Sequence, residues 1–303
     1  MKIFNFSANR ETVSAGLDIG SSSLKLVVIQ KKGKDSFIKK IAFQPLPPDS
    51  DSAALIGSFV KSQGLLDIPV NVSLSGGPVI TRYLSWPRMN LGELKAAMQF
   101  EAREYIPLPL EEVVLDCAIL NEKTEENKML VALAAIKKTV VQERIALLER
   151  CGLKPKVIDL DCFCLVNAFN SSQAAETGSR GNSAVLNIGL RYTNMVILDR
   201  ADLRFSRDIQ AGSQETDLNS LSSEINSSID YYENQNGKQI EKIYLSGGAV
   251  YSAAVTDFLK HQLNLPFEAF NVFSGLNIDS SLEQNDLLSK PSLFAIALGL
   301  ALR

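Results

Sequence analysis

Nine residues near the N-terminus, LDIGSSSLK from Leu17 to Lys25, bring together the side chains that phosphate chemistry uses. Gly20, Ser21 and Ser22 form a small-residue turn between two β-type runs, and backbone N–H groups in such a turn approach anionic oxygens closely. Asp18 before the turn suits a hydrated Mg2+, and Lys25 after it offers a point charge for a terminal phosphate. Alone the stretch is weakly specific, because any tight hairpin draws on the same residues.

A second copy strengthens the reading. Aligning position n with n + 169 sets AGLDIGSSSLKLVVI on AVLNIGLRYTNMVIL, with identities at Ala15/Ala184, Leu17/Leu186, Ile19/Ile188, Gly20/Gly189 and Val27/Val196. The copy carries Asn187 where the first has Asp18. An amide keeps the turn's hydrogen bonding but supplies neither a negative charge nor a proton acceptor. Further on, LSGGA places Gly247 and Gly248 before a helical stretch. Two phosphate-type hairpins and a glycine pair describe a nucleotide cleft between related halves. Its candidate binding residues are Gly20, Ser21, Ser22, Lys25, Asn187, Gly189, Thr193, Gly247 and Gly248, with Asp18 holding Mg2+ through water. The competing reading is inherited turn geometry with no ligand.

The elements that must position these residues alternate as in an α/β protein. Strands are expected at Val70–Ser75 (ending at Gly76-Gly77-Pro78), Met129–Ile136, Lys156–Leu160 and Lys242–Ser246. Helical spacing covers Leu91–Tyr105, Val140–Cys151, the stretch after Leu160 to about Asn170, Leu218–Glu233, Ala249–Leu263 and Ser292–Leu302. Ser171–Asn182, SSQAAETGSRGN, reads as the linker between halves.

Composition removes several functions. With 303 residues, 46% hydrophobic and 21% charged, the chain has room for two domains around a large core. A net charge of -3 disfavours general nucleic-acid binding. His261 is the one histidine, which excludes a His-based triad elsewhere and a multi-histidine metal site. Cys117, Cys151, Cys162 and Cys164 form no CxxC pair and read as packing residues of a reduced cytosolic protein. No apolar run reaches the roughly 18–20 residues that span a bilayer, and Ile3, Phe4 and Phe6 beside Lys2 and Arg10 read as a frayed tail rather than a surface anchor.

The hairpins and glycine pair are similar to those of the actin, sugar-kinase and heat-shock-chaperone superfamily. Within it the chain resembles the type IV pilus assembly protein PilM family. The marks are YLSWPRMNLGELKAAMQFEAREYIPLPLEEVVLDCAIL from Tyr83, CGLKPKVIDLD from Cys151, FSRDIQAG from Phe205 and ALGLALR from Ala297. The resemblance implies a two-domain actin-like fold, a duplicated ribonuclease-H-like α/β unit. It implies a first domain over 13–81 and 155–181, an inserted small α+β subdomain over 82–154, a second domain over 182–290, and a C-terminal helix over 291–303 returning to the first domain. Ser213–Lys242 is only 30 residues, so the second domain's outer subdomain is expected to be missing or reduced.

In function, the resemblance implies an adaptor in the cytoplasm, recruited to the inner face of the inner membrane. It would bind the cytoplasmic N-terminal tail of a PilN-like protein in a pilus or type II secretion machine, meeting the membrane only through its partners. The groove is implied between the inserted subdomain and the first domain's body, and Ile106, Pro107, Leu108 and Pro109 are a candidate apolar wall. ATP and Mg2+ are the implied cofactors. Asn187 in place of the usual aspartate, with a shortened adenosine clamp, implies weak or no hydrolysis; Asp18 and Asp161 remain the catalytic candidates. The alternative is an active ATPase whose nucleotide state controls partner binding. A sugar-type kinase lacks a convincing DxG-type aspartate after Gly76-Gly77.

Overall fold

The computed structural model describes residues 12–33, 35–76, 79–124, 126–172, 181–214, 216 and 218–303. Ile3, Phe4, Phe6, Gly77, Pro78 and most of the expected linker at Ser171–Asn182 lie outside the described residues.

The internal repeat is a repeat of whole sheets. In the first half, β1 (Thr12–Ile19), β2 (Ser23–Lys32), β3 (Asp35–Pro45), β4 (Val70–Leu74) and β8 (Val157–Leu160) lie in the order β3-β2-β1-β4-β8. In the second, β9 (Asn182–Ile188), β10 (Thr193–Asp199), β11 (Asp202–Ile209), β12 (Ile240–Ser246) and β13 (Phe267–Ala269) lie in the order β11-β10-β9-β12-β13. In each, the first three strands form an antiparallel meander and the last two run parallel to the first. A short strand, β14 (Asn277–Ile278), crosses from the second half to pair with β3.

Both faces of these strands are buried, so their apolar runs are near-continuous, and successive residues enter two different cores. Leu24, Leu26 and Val28 of β2 join Ala15 and Leu17 in an outer core under α1 (Ser52–Ser62). Val27 and Ile29 point to a central core. The second half repeats the alternation: Ala184, Leu186, Met195 and Ile197 face an outer core under α5 (Leu218–Asn236) and α6 (Ala253–Gln262). Val185, Val196 and Leu198 face the central one. α4 (Asp161–Asn170) and α7 (Ala295–Ala301) fill that central layer, sandwiched between the two sheets. Small residues let the layer close tightly. A Cβ on Gly299 would lie 1.9 Å from the Cys164 carbonyl, and one on Gly16 2.0 Å from that of Ala297.

Between β4 and β8 the chain builds a separate small sheet in the order β5-β7-β6. It consists of β5 (Val79–Trp86), β6 (Val113–Asn121) and β7 (Met129–Lys137), with α2 (Leu91–Glu101) packed on it and α3 (Lys138–Arg150) leaving β7 directly. α2 starts at a capping box in which Asn90 accepts from the Glu93 amide and Glu93 from the Asn90 amide. It was expected through Tyr105 but tightens to a 3-10 turn over Ala102–Glu104, as Pro107 drives Ile106 out of helical geometry. The expected helix Ala249–Leu263 also divides, because Ser252 adopts extended backbone and caps α6 after a 3-10 turn at Gly248–Tyr251. Among the described residues, α5 is the one helix between β11 and β12.

Candidate functional site

The two hairpins close their turns with the same backbone hydrogen bond. The Gly20 amide donates to the Ser23 carbonyl at 3.0 Å, and the Gly189 amide to the Tyr192 carbonyl at 2.9 Å. Strand register then places residue 18 opposite 25 and residue 187 opposite 194. In the first hairpin that pair is ionic: Lys25 Nζ donates to Asp18 Oδ2 at 2.9 Å, with both side chains 13% exposed. In the second it is an amide pair, Asn187 Nδ2 donating to Asn194 Oδ1 at 3.1 Å. The two halves thus differ at both members of the pair: a carboxylate–ammonium bridge in one, two carboxamides in the other.

The amide pair is the start of a chain across the domains. Asn194 Nδ2 donates to Asp208 Oδ1 at 2.9 Å, and the Gly76 amide at the end of β4 donates to Asp208 Oδ2 at 2.6 Å. Beside it, Thr81 Oγ1 lies 3.1 Å from Ser206 Oγ, and Tyr83 donates its hydroxyl proton to Ser206 at 2.7 Å. Burial pushes the Tyr83 phenol far above its ordinary range, so it stays a neutral donor.

The hairpins face a cleft of about 580 Å3. Asp18, Gly20, Ser21, Ser22, Lys25, Asp161, Asn187 and Gly189 all line it, as sequence reasoning expected of a shared site. Thr193, Gly247 and Gly248 do not line this cavity. The Thr193 hydroxyl donates to the Ala211 carbonyl at 2.9 Å in the protein interior. Gly247 sits over the Ile188 backbone and donates its amide to the Ser292 carbonyl at 2.8 Å.

Asp161 begins α4 and lines the cleft from the first domain. It keeps some exposed surface, all of it consistent with a cleft-lining group, yet dense protein surrounds its carboxyl. That desolvation, with the Asp18 charge nearby, pushes it up to about 6 against the opposing Ser73 and Ser75 hydrogen bonds. Sequence reasoning missed Arg144, which reaches the cleft from α3 on the same face as Val140, Glu143 and Leu147. Desolvation pulls its guanidinium below the usual range, opposed by Asp161 and Asp18. The i, i+3, i+4, i+7 spacing of that face is the signal that points these residues one way. Asp208 was visible within FSRDIQAG but carried no assigned role.

A second cavity of about 540 Å3 lies between β6 and β7 of the small sheet, β8, α4 and the start of β11. Ile119, Ala132 and Ala134 face Phe163 and Val166 across it. Asp116, Asp159, Asp202 and Arg303 supply its charge, and Arg303 is paired with Asp159. Ile106, Pro107, Leu108 and Pro109 are not among its lining residues. Ile106 is 3% exposed in the small sheet's own core, Leu108 packs against that core, and the two prolines are exposed.

Comparison with known proteins agrees with this architecture. The family model for type IV pilus assembly protein PilM matches residues 16–219 and 215–303. A solved PilM-PilN type IV pilus biogenesis complex superposes with a TM-score of 0.81 and 26% identity, covering 98% of this chain and 99% of that one. A protein from Bacteroides thetaiotaomicron with an actin-like ATPase fold and unknown function superposes at 0.52 and 10% identity, covering 96% and 99%. That second likeness carries the fold alone. With one sheet arrangement present twice and the family model running nearly end to end, the chain belongs to the type IV pilus assembly protein PilM family and has an actin-like fold.

Proposed function

We propose that this protein is an adaptor in pilus assembly that holds the cytoplasmic N-terminal tail of a PilN-like inner-membrane protein. The observation that carries the reading is the 540 Å3 groove between the small sheet and α4, in a chain whose superposed relative is a PilM-PilN complex. Phe163 and Val166 opposite Ile119 and the β7 alanines suit apolar side chains of an extended peptide. The groove's carboxylates are each engaged: Asp116 with Lys95 at 2.9 Å, Asp202 with Asn121 and Arg204, and Asp159 with Arg303. No described helix is long and apolar enough to cross a membrane, and in this reading attachment comes through the partner.

Fluorescence anisotropy with a synthetic PilN-like tail peptide tests the proposal. Val166→Glu and Phe163→Glu, checked for native circular dichroism, should weaken binding at least tenfold. Unchanged affinity in both folded variants would move the tail away from this groove.

A second reading of the cleft is favoured by one observation, the buried and unpartnered Arg144 Nη1. We infer that the cleft takes a nucleotide with Mg2+. The fit is good on the phosphate side: Gly20, Ser21 and Ser22 offer the hairpin, Lys25 a charge and Asp18 a carboxylate for hydrated metal. Bound nucleotide would supply a transferable phosphoryl group. Asn187, donating to Asn194, has no basic site with which to accept a proton from water, so hydrolysis is weak or absent. Calorimetry with Mg·ATP tests the reading, with Lys25→Ala as the variant expected to lose binding.

A further inference from the structure

Two cationic side chains line the phosphate cleft, Lys25 and Arg144. Their situations differ. Lys25 already has a counter-ion, with Nζ 2.9 Å from Asp18 Oδ2. Arg144 makes no ion pair among the described residues, and its Nη1 is buried with no hydrogen-bond partner. It nevertheless feels the charges of both Asp18 and Asp161. A guanidinium drawn toward two carboxylates, bonded to neither, and left with a dry unpaired N–H is a costly arrangement that a purely structural arginine avoids.

The charge balance points to what would complete it. The cleft's other charged residues are the carboxylates Asp18, Glu143 and Asp161, so among the described lining residues Arg144 is the one cation without an ion pair. A planar guanidinium favours phosphate oxygens, where it forms paired hydrogen bonds. Arg144 also comes from a different part of the chain than the hairpin. It sits on α3, which follows β7 without a break, and β7 residues Ala132, Ala134 and Ile136 line the other groove. The helix that follows the small sheet thus brings Arg144, with Val140, Glu143 and Leu147, into the cavity that Gly20, Ser21 and Ser22 also line.

We infer that Arg144 is the terminal-phosphate ligand of the cleft, contributed by the helix that follows the small sheet, and that it makes the site discriminate nucleoside triphosphate from diphosphate. This rests on the nucleotide reading above. A contact made only when the terminal phosphate is present strengthens triphosphate binding and leaves diphosphate binding nearly unchanged.

The test is calorimetric titration of the full chain with Mg·ATP and Mg·ADP, in the wild type and in Arg144→Met, which keeps length without charge. Expected is at least a tenfold loss of ATP affinity with ADP affinity held within threefold. Melting without nucleotide gives a readout a structural arginine would fail: removing the unpaired buried cation should leave the melting temperature equal or higher. The inference is overturned if the wild type binds ATP and Arg144→Met weakens both nucleotides equally or neither, or if the nucleotide-free variant melts well below wild type. If the wild type binds neither nucleotide, the cleft reading itself fails and the inference with it.

Discussion

Asn187 donates to Asn194 at the register where, in the repeated hairpin, Lys25 donates to Asp18. The two contacts occupy equivalent cross-strand positions with different chemistry, which defines a pair to exchange. Asn187→Asp alone places a carboxylate beside Asn194, whose NH2 already serves Asp208. Asn194→Lys alone exchanges the amide donor to Asp208 for a longer ammonium and removes the oxygen that accepts from Asn187. Each single change should destabilise by about 1 kcal/mol through loss of the Asn187–Asn194 amide bond. The double change rebuilds the ion pair of the first hairpin. Urea unfolding of all four proteins should show the double losing less than the sum of the singles by about 1 kcal/mol or more. Strict additivity would mean the hairpins are not interchangeable in this respect.

Asp208 should matter more than its surface position in sequence suggests. It accepts from Asn194 and from the Gly76 amide, joining the second sheet to the end of β4 in the first. Asp208→Ala leaves the Gly76 N–H and one Asn194 proton without their partner. The expected loss is about 2–3 kcal/mol, typical for hydrogen bonds to a charged acceptor. Because both contacts are interdomain or lead to one, amide exchange at Gly76 should rise more than in β12. Equal protection at Gly76 in variant and wild type would show that the contact does not hold the halves together.

Much of this was legible in the sequence. The β-rich runs on either side of the turns after LDI and LNI identify β1, β9 and their hairpins, because strands buried on both faces read as near-continuous apolar runs broken by the glycine turn. β3 was less legible: Asp35–Pro45 carries Lys39 and Lys40 among apolar residues and, on the side away from β2, borders only the short β14, so its pattern is that of a near-edge strand. α1 was missed although Asp51 caps it by accepting from the Ala54 amide. In the site, local motifs revealed the hairpin residues but not Arg144, since a cation on an amphipathic helix reads as solvated until the fold turns that face inward. The wall assigned to Ile106–Pro109 failed to appear in the groove lining for the converse reason: Ile106 closes the small sheet's core, and only tertiary packing decides which side an apolar corner faces.

Gly299 tests the central layer. Its missing Cβ allows the α7 backbone to lie against the Cys164 carbonyl, where a methyl would sit at 1.9 Å. Neither partner is the free end of a flexible side chain, so α4 and α7 must separate. Gly299→Ala should therefore cost about 3 kcal/mol or more despite its better helix propensity, which alone would contribute about 1 kcal/mol in the opposite direction. Chemical denaturation measures the sum. A stabilised variant would show that the two helices tolerate a wider spacing.

Asp161 predicts a pH dependence whose sign differs from that of an ordinary paired carboxylate. Its folded carboxyl is raised from 3.8 to about 6, first by desolvation and then by the Asp18 charge, with Asp208 adding to it and Ser73 and Ser75 opposing. The folded chain therefore binds this proton more tightly than the unfolded chain between about pH 4 and 6. Stability contributed by the protonated form is present below that window and is lost as pH rises through it. The displacement corresponds to about 3 kcal/mol as an upper figure. Asp161→Asn, which cannot ionise, should match wild type near pH 4 and exceed it by up to about 3 kcal/mol at pH 7.5. Added Mg2+ should narrow the gap at pH 7.5 in wild type alone if Asp18 and Asp161 share its field, because a cation favours the charged carboxyl. Denaturant curves at the two pH values decide the matter: a constant offset between variant and wild type would mean Asp161 is already ionised throughout and its enclosure costs nothing.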